Sequence, residues 1–179
     1  MPSLRTLGGM GLSMVHGIVH EYGGHILLQS APGAGATFRI LIPVLSQVLN
    51  PASPFDKLLN CPAEYNELMQ FLQENKITGV LFISGDRHHT EVIKVNRQGA
   101  YPLYDVTVSP LTAGTHTFGA AEAKNTYRVF GLDEKQNYGK FNFSGARGQR
   151  KLSVEFFGVK GNKLGEWSVS ENELKYPRQ

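Results

Sequence analysis

The sequence has little cysteine, no long apolar run and almost no charge near its N-terminus. Cys61 is the single cysteine, which excludes an internal disulfide and a cysteine-based zinc cluster. No apolar stretch approaches the ~20 residues that a membrane-spanning helix needs. No charged N-terminal head is followed by an uninterrupted apolar core, so we predict no signal peptide. For the chain as written we therefore expect a cytoplasmic location and no membrane partner.

The chain also lacks a basic stripe. Its net charge is +3 and its pI is about 9.0, but the lysines and arginines are scattered. We therefore predict no nucleic-acid partner. A hydrophobic content of 41% and a mean hydropathy of −0.23 are typical of a soluble globular protein with a core. The length of 179 residues allows one domain or two small ones.

The distribution of charge divides the chain in two. Only Arg5, Glu21 and Arg39 are charged among the first 50 residues. The run Asn-Pro-Ala-Ser-Pro at 50–54 is one that neither a helix nor a central strand tolerates. We predict a first part over 1–46, a Pro-rich junction over 47–59 and a second part over 60–175, with a mixed α/β fold.

The first part has the pattern of a helix followed by a hairpin. Leu12, Val15, Val19 and Tyr22 share one helical face. Two strands over 26–30 and 37–43 are joined by a Gly- and Pro-rich turn, which predicts a β-hairpin.

The second part alternates helical and strand patterns. A helix begins near Pro62, a residue suited to the first helical position, and we predict that Tyr65, Leu68, Met69 and Leu72 form its buried face. The apolar run over 79–84 predicts a strand buried on both faces. Further strands are predicted over 92–96 and 104–109. Alternation over 151–158 and 164–170 predicts a terminal antiparallel hairpin.

The densest chemistry follows the 79–84 strand. Gly85 leads into Asp86, Arg87, His88 and His89, at the carboxyl end of a strand, where open α/β sheets gather ligands. Asp oxygen and His nitrogen suit Zn, Fe or Mn, and Asp oxygen also suits Ca. The alternative is a solvated surface turn.

Three other side chains have open interpretations. Arg87 could clamp a phosphate through two hydrogen bonds or form a surface salt bridge. Asp105 could line a pocket or be buried and hydrogen-bonded. His116 lies in a Gly- and Thr-rich loop and could reach a substrate phosphate or be part of a mobile surface.

The segment over 81–91, Leu-Phe-Ile-Ser-Gly-Asp-Arg-His-His-Thr-Glu, resembles the last metal-site motif of alkaline phosphatase D-like (PhoD-like) metallophosphoesterases. The resemblance continues over 101–112 and 125–129 and covers roughly residues 55–175. It implies a partial metallophosphoesterase-type sheet and a multinuclear metal centre that hydrolyses phosphate esters. By position, Asp86 and His88 would be ligands, His89 would lie at the metal site, and Arg87 would assist catalysis. The family's earlier ligand motifs are absent from this sequence.

The segment over 9–19 resembles the second glycine box of sensor histidine kinase ATPase domains. The sequence over 22–40 is similar to the hairpin that ends those domains, so this resemblance covers residues 5–45. It implies a vestigial nucleotide-binding role for Gly9, Gly11, Leu12 and Ser13. The Asn-bearing helix and the Asp-containing glycine box are absent, so we expect ATP binding weaker than ~1 mM, or about −4 kcal/mol.

Two hypotheses follow. In the first, the chain is a fragment or fusion derived from a bacterial metal-dependent phosphoesterase that acts on a small phosphate ester through metal-activated water. In the second, it is a remnant of a histidine kinase ATPase domain or a catalytically silent chimera. We expect little or no hydrolysis from the chain alone, and we expect a complete phosphatase relative to be exported. The sequence indicates no oligomeric state.

Overall fold

The computed structural model describes residues 25–31, 35–41, 47–55 and 57–177. It confirms a mixed α/β fold, which divides into two compact units, Met1–Val44 and Leu45–Gln179. None of the helices in these described ranges is long and apolar enough to cross a membrane. The helix predicted to begin at Leu12 and the glycine-box residues Gly9, Gly11 and Ser13 lie outside the described residues.

The first unit contains the predicted hairpin. Strand β1 (His25–Ala31) pairs antiparallel with β2 (Gly35–Leu41) in unbroken register. The prediction of two antiparallel strands is thereby confirmed, and the residues that join them lie outside the described ranges.

The second unit holds a mixed four-stranded sheet. Its strands are β3 (Phe82–Ser84), β4 (Thr90–Val95), β5 (Leu103–Thr107) and β6 (Arg128–Leu132), in the spatial order β3-β5-β4-β6. The pair β3–β5 is parallel, and β4 is antiparallel to both of its neighbours. The edge where β3 ends therefore lies beside the carboxyl end of β5.

A three-stranded antiparallel sheet completes this unit. It consists of β7 (Asn137–Ser144), β8 (Lys151–Gly158) and β9 (Lys163–Ser170), and the pair β8–β9 confirms the predicted terminal hairpin. Alternate residues of β8 are buried, namely Leu152, Val154 and Phe156. The Phe156 ring stacks on Phe130 of the first sheet with centroids 4.6 Å apart, so both sheets contribute to one core.

The helices of the second unit are few. Helix α1 (Pro62–Glu74) begins at the predicted proline, and α2 (Ala120–Ala123) is a single turn. Two 3-10 turns cover Leu58–Asn60 and Asn172–Leu174. The predicted inner face of α1 is confirmed, since Leu72 is buried and the other three members are partly buried: Tyr65, Leu68 and Met69.

Strand β3 differs from the prediction of a strand buried on both faces over 79–84. It has only three residues and lies at the sheet edge, where Ile83 is 63% exposed. A continuous apolar run looks the same in the sequence whether the strand lies at the centre of a sheet or at its edge. Only the partners of the strand in space decide its burial, and in the described part of the chain β3 pairs with β5 alone.

The segment over 47–50, predicted as part of a junction, is built into the second unit. Leu49 is fully buried, and Asp105 Oδ2 accepts hydrogen bonds from the backbone N of Val48 at 2.6 Å and of Leu49 at 3.0 Å. Pro51 and Pro54 disfavour a helix or a central strand in this segment. They do not prevent the backbone N–H groups of Val48 and Leu49 from donating to the buried Asp105 carboxylate.

Candidate metal centre

The turn between β3 and β4 alternates between exposed and buried side chains. Asp86 and His88 are exposed, whereas Arg87 is 6% exposed and His89 is completely buried. Asp86 and His88, here called the exposed pair, both have left-handed backbones, with φ of 60° and 57°. That conformation is unfavourable for residues with a Cβ, so the surrounding structure must hold it.

Backbone hydrogen bonds supply that support. The backbone N of His88 donates to Ser109 Oγ at 3.1 Å, and the His88 carbonyl accepts from the backbone N of His116 at 2.7 Å. These bonds tie the turn to the segment that follows β5. The exposed pair is therefore held in place at the carboxyl edge of the parallel strands β3 and β5.

Arg87 points to the interior of the unit rather than to solvent. Its Nη2 donates to Glu122 Oε1, and its guanidinium lies 4.0 Å from the centroid of the Phe55 ring. Burial lowers the pKa of Arg87, and Glu122 partly offsets that effect. The ion pair anticipated for this residue therefore exists but is buried rather than on the surface.

His89 is buried without a hydrogen bond to any described residue. Both of its ring nitrogens are inaccessible and unpaired in the described part of the chain. Nε2 lies 3.2 Å from Glu91 Oε1, but the alignment is not that of a hydrogen bond. The ring packs edge-on against Phe118, with centroids 4.7 Å apart.

Three side chains converge beside this imidazole. One ligand atom each from His89, His116 and Glu122 lies within 4.8 Å of the others, and this group could hold a metal ion. We call it the histidine cluster. Among the described residues it is the group with this property, and neither Asp86 nor His88 belongs to it. Of the three predicted metal ligands, the structure therefore brings only His89 into such a group.

The Glu122 carboxylate is ordered by contacts on both oxygens. Oε1 accepts from Arg87, and Oε2 accepts from the backbone N of Gly119 at 3.1 Å and lies 2.8 Å from His116 Nε2. Burial raises the pKa of Glu122, but the contacts with His116, Gly119 and Arg87 outweigh it and lower the pKa below its usual value. The carboxyl is therefore ionised at neutral pH and available to a cation.

A second polar group lies next to His89, where Glu91 Oε1 is 3.2 Å from Nε2. Here Glu91, Asp105 and their partners Gln47, Asn50 and Arg128 form what we call the carboxylate network. Glu91 Oε1 accepts from Gln47 at 2.5 Å and from Asn50 at 2.8 Å, while Oε2 accepts from Arg128 at 2.8 Å. Burial raises the pKa of Glu91, but contacts with His89, Gln47 and Arg128 outweigh it and lower the pKa to about 2.

Of the two interpretations of Asp105, a pocket-lining residue or a buried and hydrogen-bonded one, the structure supports the second. Asp105 is completely buried, and besides its backbone bonds it accepts from Ser84 Oγ at 2.7 Å. Burial raises the pKa of Asp105. Every oxygen is engaged by protein donors, so this carboxylate holds the 47–50 segment on the sheet.

Sequence reasoning did not identify Glu122 and did not connect His116 with His89. The three members of the histidine cluster come from the turn before β4, a loop and a one-turn helix, and no local spacing connects them. The available signal was the run Gly119-Ala-Ala-Glu122, in which the glutamate returns to the start of its own helix. That pattern predicts a cap rather than a ligand.

Comparison of the chain with known protein families, with curated proteins and with solved structures finds no match.

Proposed function

We propose that the second unit is the metal-binding C-terminal part of a metal-dependent phosphoester hydrolase. Asp86 and His88 would be two of the ligands of its catalytic metal centre. A bound metal ion would polarise a phosphoryl oxygen and lower the pKa of a bound water. The carboxylate oxygen of Asp86 and the imidazole nitrogen of His88 suit Zn, Fe or Mn, and the carboxylate alone suits Ca.

The left-handed turn is the observation that supports this proposal most. Non-glycine residues in that region are uncommon and cluster at functional sites, where surrounding contacts enforce them. Here two of them alternate with buried residues, so both side chains emerge on the solvent side of one turn. Asp and His are among the residue types that tolerate this backbone, and here they also place a carboxylate and an imidazole, both possible metal ligands, on the same turn.

The role of Arg87 in this proposal is to hold the turn. Its ion pair with Glu122 and its stacking on Phe55 anchor the residue between the exposed pair. Catalytic groups need positions accurate to a fraction of an ångström, and a buried arginine between two ligands supplies such an anchor.

Metal binding by the chain alone tests the ligand assignment. Two ligands leave most of the coordination shell to water, so we expect weak binding of Mn²⁺ at the exposed pair. Paramagnetic broadening of NMR signals should be strongest at the Asp86 and His88 amides. Asp86→Asn and His88→Asn keep residue types that tolerate the left-handed backbone, and together they should remove this broadening.

Hydrolysis tests the reaction. Fusion of the missing upstream half of a related phosphoesterase to residues 47–179 should produce hydrolysis of a chromogenic phosphate ester. Either Asn substitution should then lower kcat by roughly 100-fold or more, the scale of losing an electrostatic catalytic group. A fused enzyme that tolerated both substitutions at near full rate would show that the assignment is wrong.

A further inference from the structure

The histidine cluster contains a buried imidazole whose hydrogen-bonding capacity is unused in the described part of the chain. Neutral imidazole has one N–H donor and one lone-pair acceptor. In the described residues Nε2 of His89 has only the poorly aligned contact with Glu91 Oε1 at 3.2 Å, and Nδ1 has no hydrogen-bond partner. Buried polar groups without partners are rare and unfavourable. A metal ion bound through the lone pair would resolve this, because an imidazole nitrogen is a common metal ligand.

We propose that His89, His116 and Glu122 bind one Zn²⁺ ion at a site that is separate from the exposed pair. One nitrogen from each histidine and Oε2 of Glu122 would be the protein ligands, and water would be the fourth. Two imidazoles and one carboxylate suit Zn²⁺. Ca²⁺ and Mg²⁺ instead prefer shells made of oxygen. This proposal does not depend on phosphoester hydrolysis.

The distances fit a site that closes on its ion. In a tetrahedral shell with bonds of 2.0–2.2 Å, ligand atoms are about 3.4 Å apart, whereas the cluster atoms lie within 4.8 Å of one another. The longest separation would have to shorten by up to about 1.4 Å, whereas the 2.8 Å between His116 Nε2 and Glu122 Oε2 would have to lengthen. His116 can make both adjustments, since its side chain is 36% exposed and lies on a loop, while His89 is completely buried. The same exposure gives the ion access from solvent.

Neighbouring groups already orient two of the ligands. Arg87 occupies Oε1 of Glu122, which leaves Oε2 facing His116. Glu91 Oε1 lies 3.2 Å from His89 Nε2, and a carboxylate beside a metal-binding imidazole is a recurrent arrangement that fixes the ring. The ion would also fix His116, whose backbone N donates to the His88 carbonyl. A Zn²⁺ ion at the histidine cluster would thereby hold the turn that carries the exposed pair.

Calorimetric titration of the full metal-free chain with Zn²⁺ tests this site. We expect one ion with a Kd of ~1 μM or tighter. His116→Asn should weaken binding by about 100-fold or more, at least as much as removing an outer-shell partner does. Glu122→Gln, which preserves volume, should weaken it by at least ~10-fold. Thr117→Ala, next to the ligand on the same loop, is the control and should bind as the wild type does.

The His88→Asn variant separates the two sites. Its Zn²⁺ affinity should stay within about 3-fold of the wild type, a difference of less than ~0.7 kcal/mol. Co²⁺ substituted for Zn²⁺ should give the intense visible absorption of four-coordinate cobalt, which His116→Asn should abolish. The proposal is overturned if no Zn²⁺ binds more tightly than ~1 mM, if His116→Asn binds as tightly as Thr117→Ala, or if His88→Asn loses binding as His116→Asn does. Hydrolysis by the fused enzyme is a separate measurement, so failure of the zinc site and failure of the proposed function remain distinguishable.

Discussion

The carboxylate network and the histidine cluster are two neighbouring polar regions that meet where Glu91 lies 3.2 Å from His89. Glu91 and His89 lie two positions apart and are both completely buried. Glu91 has a described donor for each oxygen, whereas neither ring nitrogen of His89 has a hydrogen-bond partner among the described residues. Saturated polar groups of this kind hold a fold together. A buried imidazole that lacks hydrogen-bond partners and lies beside two further ligand atoms is instead suited to bind a metal ion.

Removal of the Glu91 carboxylate should produce the largest effect on stability. Glu91→Ala leaves Arg128, Gln47 and Asn50 without their acceptor. We expect the free energy of unfolding to fall by about 3–5 kcal/mol, the scale of breaking a buried ion pair. The single tryptophan, Trp167, lies in the second unit and reports its unfolding in urea. Glu155→Ala, which removes a surface ion pair, should change stability little, and equal losses in the two variants would contradict the comparison.

The same carboxylate should make the second unit sensitive to acid. The folded pKa of Glu91 is about 2, below its reference value of 4.5, so its contribution is complete above pH 4.5 and is lost as the pH falls towards 2. The shift corresponds to about 3 kcal/mol. Urea unfolding in chelator between pH 7 and pH 2.5 should show this loss in the wild type. Glu91→Gln should lose less over the same range, and identical slopes would contradict the assignment.

Loss of the Asp105 charge should have a smaller and more local effect. Asp105→Asn keeps one acceptor oxygen but cannot serve Val48, Leu49 and Ser84 together. We expect a loss of about 2 kcal/mol, typical of hydrogen bonds to a charged group. Hydrogen exchange of the Val48 and Leu49 amides should accelerate more than exchange in β8. Unchanged protection of these two amides would show that Asp105 does not hold the 47–50 segment.

His89 should be the least costly of these buried polar groups to replace. In metal-free protein, His89→Leu removes an imidazole whose polar contact within the described residues is that of Nε2 with Glu91 Oε1 at 3.2 Å. We therefore expect a loss in unfolding free energy of about 1 kcal/mol, smaller than for either buried carboxylate. The variant should also lose the stabilisation that Zn²⁺ gives the wild type. A loss of ~3 kcal/mol or more without metal would mean that the imidazole is already satisfied.

Local patterns predicted much of the fold. The helical spacing of Leu68 and Leu72 predicted the inner face of α1, and Pro62 predicted where the helix begins. The two hairpins were predicted from alternation and turn residues. Strand β3 was placed correctly beyond residue 80, but its burial was wrong, because the exposure of Ile83 depends on which strands lie beside it.

The sequence predicted less of the candidate site than of the fold. The motif around Asp86 and His88 is local, so its residue types could be recognised directly. The contacts of His89 with His116 and of Arg87 with Glu122 join a strand end to a distant loop and a one-turn helix. Such contacts depend on chain topology, which no spacing in this sequence encodes. The residues that were missed are those that meet only after the sheet has formed.

Anomalous X-ray scattering from crystals grown with Zn²⁺ would test the central claim most directly. We predict a strong zinc peak bounded by His89, His116 and Glu122, with metal–ligand distances of about 2.0–2.2 Å. The peak should persist in His88→Asn crystals and disappear in His116→Asn crystals. A map with no peak at the histidine cluster, or with zinc bound only at Asp86 and His88, would contradict it.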